Sequence, residues 1–266
     1  MTSAEQHDLV RIDVPASAVA VLTLNRPEAL NALTTELVLA ISDGLGQLAG
    51  RADIRVVVLT GSGDRAFCAG ADLKQRQGMS DQDWADQHAQ FEAMFERLRS
   101  FEKPVIAAVN GVAAGGGLEL AMSCDFIVAS GGARFGQPEA SRGIMPGCGG
   151  TQLLPRLVAH GLATELLLTG RLIGADEAQR AGLVTHVFAA AELLPSTISL
   201  GESIAANSPM AVGRIRHALR AGRGKPLDEA LQIELACYRE TVTHPDRREG
   251  VNSFNEGRAP RFADPD

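Results

Sequence analysis

Hydrophobic positions fall into two rhythms along the chain. Short apolar runs come first: AVAVLTL (18–24), RVVVLTG (55–61), PVIAAVNG (104–111), DFIVAS (125–130) and LVTHVF (183–188). Brief runs of this kind, closed by glycine or a polar residue, predict buried strands. Between them the spacing lengthens. Leu37, Ile41, Leu45 and Leu48 recur at helical intervals, as do Phe91, Met94, Phe95 and Leu98 in a segment that opens near Asp81. Strands alternating with helices predict an α/β fold. The loose repetition of short strands fits a coil of small β-β-α units. Beyond Pro195 the strand rhythm stops, and ISLGESIAANS, PMAVGRIRHALRAG, PLDEALQIELACYRETV and DRREGVNSFNEG all read as helices. We therefore expect an α/β core over residues 1–195 and a helical region over 196–266. Pro209 and Pro226 suit first helical turns.

Composition narrows the function classes. The chain has 266 residues, 45% of them hydrophobic, and a net charge of -7. That length allows a large core. The acidic balance argues against a nucleic-acid partner, whose backbone calls for basic stripes. No apolar window is long enough to predict a membrane span, and MTSAEQHDLV lacks the basic and apolar parts of a leader. Cys68, Cys124, Cys148 and Cys237 are widely spaced in apolar or glycine-rich stretches, which fits free buried thiols in a reducing cytoplasm. The histidines are scattered, so no metal-ligand cluster is expected. One glycine pattern, GSGDRA (61–66), follows a strand as a dinucleotide-binding turn would. It lacks the following helix and acid-bearing strand, and a tight turn is the better reading.

Three segments concentrate the candidate chemistry: AFCAGADLK (66–74), NGVAAGGGLELAMSCD (110–125) and FGQPEASRGIMPGCGGTQLLPRL (135–157). In the second, a strand feeds Gly115, Gly116 and Gly117 and then the start of an apolar helix. Each glycine costs about 1 kcal/mol inside a helix relative to alanine. The first N–H groups of a helix have no internal acceptor and carry partial positive charge. A glycine there lets a ligand approach. The run thus suits a developing negative charge, although close helix–strand packing would also use small residues. Glu119, just after the glycines, could serve only as a first-turn acid. Glu139, after Pro138, could be a solvated surface acid. Gly147 could be a helix-entry turn, and the basic residues of MAVGRIRHALR read by default as a solvated face.

Together with LNRPEALNAL (24–33) and DRREGVNSF (246–254), these segments closely resemble the crotonase superfamily, whose typical member is enoyl-CoA hydratase. The resemblance runs from about residue 10 to the end, in the family's order and spacing. It implies a crotonase-type spiral of repeated β-β-α units with a C-terminal helical trimerisation region, assembled as a homotrimer or a homohexamer (dimer of trimers). It implies an oxyanion hole from the N–H groups of Ala71 and Gly116. Glu119 would orient and deprotonate water, and Glu139 would give a proton to the α-carbon. Ala71, Asp72, Leu73 and Lys74 would line the CoA path, and Gly147 would lie near the water or acyl chain. The implied reaction is syn hydration of a trans-2-enoyl-CoA, with the CoA thioester as substrate and no metal or redox cofactor. Relatives with other activities, such as Δ3,Δ2-enoyl-CoA isomerase, can lack one of the two glutamates, and a non-catalytic acyl-CoA- or partner-binding member of the fold is a further alternative. Two positions depart from the resemblance. Glu28 and Gly257 stand where many relatives place a lysine for the CoA phosphates, which leaves Arg26, Arg258 or Lys74 as substitutes.

Overall fold

The computed structural model describes residues 9–262. The expectation about a leader in the first ten residues falls almost wholly outside them. Ten strands occur among the described residues: β1 (Val10–Ala16), β2 (Val19–Leu24), β3 (Val56–Gly61), β4 (Ala66–Cys68), β5 (Val105–Val109), β6 (Val112–Ala114), β7 (Phe126–Ser130), β8 (Arg134–Gly136), β9 (Ile173–Gly174) and β10 (His186–Phe188). They form two sheets. The larger runs β1-β2-β3-β5-β7-β10, and the smaller runs β4-β6-β8-β9. From β3 onward the chain repeats one manoeuvre. A long strand in the first sheet turns a corner into a short strand of the second, and a helix follows. β3, β5 and β7 pair in parallel, and so do β4, β6 and β8. That is the expected spiral of β-β-α units.

The central strands are apolar throughout because both faces of the sheet are covered. Val57 and Leu59 of β3 face a core shared with Leu37, Ile41, Leu45 and Leu48 of the helix Thr35–Ala49 and with Phe91, Met94, Phe95 and Leu98 of the helix Asp81–Ser100. Val56 and Val58 face the opposite side, with Val19, Val21, Ile106 and Val128. That side is covered by the helix Leu193–Ala205. A Cβ on its Gly201 would lie 3.2 Å from Val19, so the helix sits tightly against the sheet. The expected division near residue 195 thus falls inside a helix that is part of the sheet's own packing.

The remaining C-terminal helices are Pro209–Gly222, Leu227–Thr243 and Pro245–Glu256. Pro209 occupies a first turn as expected, whereas Pro226 is one step earlier, at the N-cap. Asp81 does open its helix, with Ser80 and Asp83 forming a capping box. Among the described residues no helix is long and apolar enough to cross a membrane.

Two sequence readings need correction. LVTHVF forms a strand only over His186–Phe188. Leu183 and Val184 are buried in the turn before it, so burial alone gave the apolar run. The basic helix MAVGRIRHALR is not a solvated face throughout. Arg216 is buried and its Nε donates to Asp125 Oδ1 at 2.9 Å, with further bonds to the carbonyls of Phe101 and Glu102. Arg220 reaches the same carboxylate at 3.1 Å, and Arg214 pairs with Glu240. Asp125 also accepts from the Val105 amide at 2.7 Å, so this cluster joins the C-terminal helices to the start of β5.

Removing Arg216 takes a charged donor from Asp125 and from the carbonyls of Phe101 and Glu102, although Arg220 and the Val105 amide still serve the carboxylate. Arg216→Ala should lower unfolding stability by about 3 kcal/mol, measured by urea denaturation. A change near zero would show that the cluster contributes nothing to holding the helices in place.

Candidate active site

Gly115, Gly116 and Gly117 answer three separate demands. Gly115 has φ 54°, which side chains avoid, and a Cβ there would stand 2.8 Å from Glu139 Oε1. A Cβ on Gly117 would lie 1.9 Å from the Cys68 carbonyl oxygen, so the helix Gly116–Met122 rests directly on β4. At Gly116 the backbone is open toward the neighbouring loop, and a Cβ would be 3.6 Å from the Ala71 nitrogen. Neither the Ala71 nor the Gly116 N–H meets a protein acceptor among the described residues. Helix–strand packing therefore explains Gly117 but not the pair of adjacent, unengaged amides. Such a pair can stabilise a developing oxyanion.

Both amides border a cavity of about 920 Å³, which Glu119, Glu139 and Gly147 also line. The structure thus brings together the candidates for oxyanion, acid–base and water positions. The two carboxylates arrive from different turns of the spiral. Glu119 is on the glycine-led helix, and Glu139 is on a short 3-10 helix, Pro138–Arg142, after β8. Neither is a surface acid: Glu119 is 2% exposed and Glu139 9%.

Their environments differ. Glu119 Oε1 accepts from the Cys148 amide at 2.8 Å and the Gly150 amide at 2.7 Å. Burial raises its pKa above the ordinary carboxylate range, and these two bonds work against that rise by favouring the charged form. Glu139 is pushed up to about 7, mainly by burial, with the negative charge of Glu119 adding to the effect. With its amide nitrogen turned toward Glu139, the orientation that satisfies both groups, buried Gln137 donates to Oε1 at 2.9 Å and Oε2 at 3.1 Å. That contact favours the carboxylate and limits the rise. At neutral pH the site can hold one charged and one protonated acid. Cys148, also in the wall, is not a competing nucleophile, because burial pushes its thiol up to about 12.

The rest of the cavity wall comes largely from two helices. Trp84, His88 and Phe91 come from the helix Asp81–Ser100, and Arg76 from the short helix Leu73–Arg76. Arg76 Cζ lies 4.3 Å from the Trp84 ring centre and 5.3 Å from that of Phe91, and its Nε donates to Gln87 at 2.8 Å. Stacking of this kind contributes about 0.5–2 kcal/mol and fixes the guanidinium plane. The His88 ring is close to Gly147, where a Cβ would come within 2.6 Å of it, and His88 Nε2 lies 3.3 Å from Glu92. Gly147 therefore does more than enter a helix, since a side chain there would displace the cavity wall.

The segment expected to line a CoA path is ordered by other contacts. Asp72 caps its helix through the amides of Lys74 and Gln75, and it pairs with Arg26 at 3.2 Å. Leu73 lines the cavity and is exposed. Of the three cations considered as phosphate holders, Arg26 is engaged by Asp72 and Arg258 by Glu249 and Glu256. Lys74 is exposed and has no carboxylate partner among the described residues. Glu28 is exposed on a 3-10 turn, Pro27–Ala29.

A family model described as enoyl-CoA hydratase/isomerase matches residues 15–265. A crotonyl-CoA hydratase of Syntrophomonas wolfei is 42% identical over 244 residues, covering 92% of this chain and 94% of that one. A short-chain-enoyl-CoA hydratase of Clostridium acetobutylicum is 42% identical over 240 residues, covering 90% and 92%. The crystal structure of an enoyl-CoA hydratase from Bacillus anthracis superposes with a TM-score of 0.93 at 40% identity, covering 96% of this chain and 98% of that one.

Glu139 gives a stability prediction. Its folded pKa of about 7 exceeds the ordinary 4.5, so between those values the folded chain keeps a proton that the unfolded chain has lost. Stability is therefore lost at this site as pH rises through the window, on the order of 2–3 kcal/mol when complete. Glu139→Gln removes the titration, so its stability relative to the parent should increase between pH 4.5 and pH 8. Parallel urea-denaturation profiles for the two proteins across that range would contradict this account.

Proposed function

The chain belongs to the enoyl-CoA hydratase/isomerase family, and we propose that within it this protein is an enoyl-CoA hydratase, adding water reversibly and syn to a trans-2-enoyl-CoA to give a 3-hydroxyacyl-CoA. One observation carries the reading: two buried carboxylates in unlike settings share a cavity with two free main-chain amides. Glu119, kept anionic by the amides of Cys148 and Gly150, takes a proton from water as the water oxygen bonds to the β-carbon. The double-bond electrons move onto the thioester oxygen, where the N–H groups of Ala71 and Gly116 stabilise the enolate. Glu139 then passes its proton to the α-carbon. One water is added, and the proton left on Glu119 makes good the one given by Glu139. No oxidant or reductant is consumed, so the reaction calls for no redox cofactor or metal, and CoA enters with the substrate.

A Δ3,Δ2-isomerase would use the same amides but can operate with one carboxylate. A non-catalytic binding protein would need neither acid. The presence of two acids in unlike settings, one held by two main-chain amides and one raised to about 7, favours hydration. Ala71, Asp72, Leu73 and Lys74 are proposed to follow the CoA arm, with Lys74 as the phosphate contact left free by the ion pairs of Arg26 and Arg258. The C-terminal helices leave Ile215, Leu219, Tyr238 and Phe254 exposed, at 60%, 70%, 60% and 86%. An apolar face of this kind supports assembly into trimers or pairs of trimers.

Four measurements test these readings. Wild-type protein should hydrate crotonyl-CoA, followed by loss of the conjugated enoyl absorbance. Glu119→Gln and Glu139→Gln should each lose about 10²–10⁴-fold in kcat. Isomerisation that survives Glu119→Gln while hydration is lost would favour the isomerase. The pH profile of kcat/KM should fall above about pH 7, as Glu139 loses its proton, and fall again in acid as Glu119 gains one. A flat profile through neutrality would rule out this assignment of acid and base. Light scattering should give a mass of three or six chains, and a monomer would remove the assembly proposal.

A further inference from the structure

The enoyl-CoA reaction needs no cation in the acyl pocket, yet Arg76 is placed in its wall. The residue is only partly exposed, and stacking on Trp84 and Phe91 with the Nε bond to Gln87 fixes it from one side. Its two terminal nitrogens form no hydrogen bond or ion pair among the described residues. The acids nearby are otherwise occupied: Glu119 by two amides, Glu139 by Gln137, and Glu92 by His88. A guanidinium held in plane with its fork free is suited to a carboxylate, which it can bind through two parallel hydrogen bonds.

We propose that Arg76 is a specificity-determining residue, and that the acyl chain accepted by this protein carries a carboxylate at its far end. The inference rests on the hydratase reading and adds the substrate class to it. Position argues for the acyl chain over the CoA phosphates. Lys74 and Arg76 are two residues apart on one short helix, so their side chains point about 200° apart around it. Lys74 faces solvent, where the CoA phosphates remain. Arg76 faces the cavity, among aromatic rings. His88 and Arg142 are the other basic groups lining this cavity. His88 is matched to Glu92, and Arg142 is exposed.

The test compares matched substrates that differ only in the terminal carboxylate: trans-2-hexenoyl-CoA with trans-2-hexenedioyl-CoA. Wild-type kcat/KM should favour the diacid. Arg76→Met keeps the bulk of the side chain and should lower the diacid-to-monoacid ratio of kcat/KM by about 10- to 100-fold, the range expected for hydrogen bonding to a charged group. Arg76→Lys should retain part of the preference. Equal losses on both substrates would overturn the inference, as would a loss seen with CoA thioesters but not with the matching pantetheine thioesters, which would make Arg76 a phosphate contact. Calorimetry with adipoyl-CoA and hexanoyl-CoA reads the same preference without turnover. An inactive protein that still binds adipoyl-CoA more tightly through Arg76 would refute the hydratase reading and keep the carboxylate. An active protein with no such preference would do the reverse.

Discussion

A buried carboxylate must be hydrogen-bonded or it destabilises the fold by several kcal/mol. Glu119 is that carboxylate, and two main-chain amides, at Cys148 and Gly150, satisfy it. The bond links two distant parts of the chain. The helix bearing Glu119 has to lie flat on the Cys68 carbonyl, which only glycine at 117 permits. The loop 144–150 has to turn its amides inward, through a backbone at Gly149 with φ 121°. Release of either element would leave a buried charge unmatched. The interaction that orients this acid therefore also holds one wall of the cavity closed.

The same spiral supplies the contrast on which the proposed chemistry depends. Successive turns deliver the Ala71 amide, then Gly116 and Glu119, then Glu139, each just after a short strand of the second sheet. Two acids so placed cannot behave alike. One receives main-chain donors and the other receives a side-chain amide, and the nearness of the first acid adds to the burial that raises the second. Opposite tasks can then be given to identical residue types. The helix Asp81–Ser100 adds aromatic and basic groups to the cavity wall.

Much of this was legible in the residues. Parallel strands covered on both faces are apolar throughout, so β2, β3, β5 and β7 stood out. Helices with one buried stripe show a clear period, and Asp81 was found as a helix start. The second sheet was missed because strands of two or three residues are too short to show alternation. The strand β1 was missed because its exposed positions break up the apolar pattern. Arg216 was misread because a buried arginine on a helix looks like any other until its acid, Asp125, is brought to it from another element.

The sequence by itself determined the alternation of strand and helix, the glycine run and the presence of two glutamates in a resembling frame. Those features depend on residue type and on neighbours a few positions away. Only the tertiary structure decided that the glutamates share a cavity, that Cys148 and Gly150 grip one and Gln137 the other, and that Arg76 faces inward while Lys74 faces water. Apart from the contact between Gln137 and Glu139, two positions apart, these depend on groups distant in the chain. Backbone amides, moreover, leave no mark in a sequence, because every residue but proline has one.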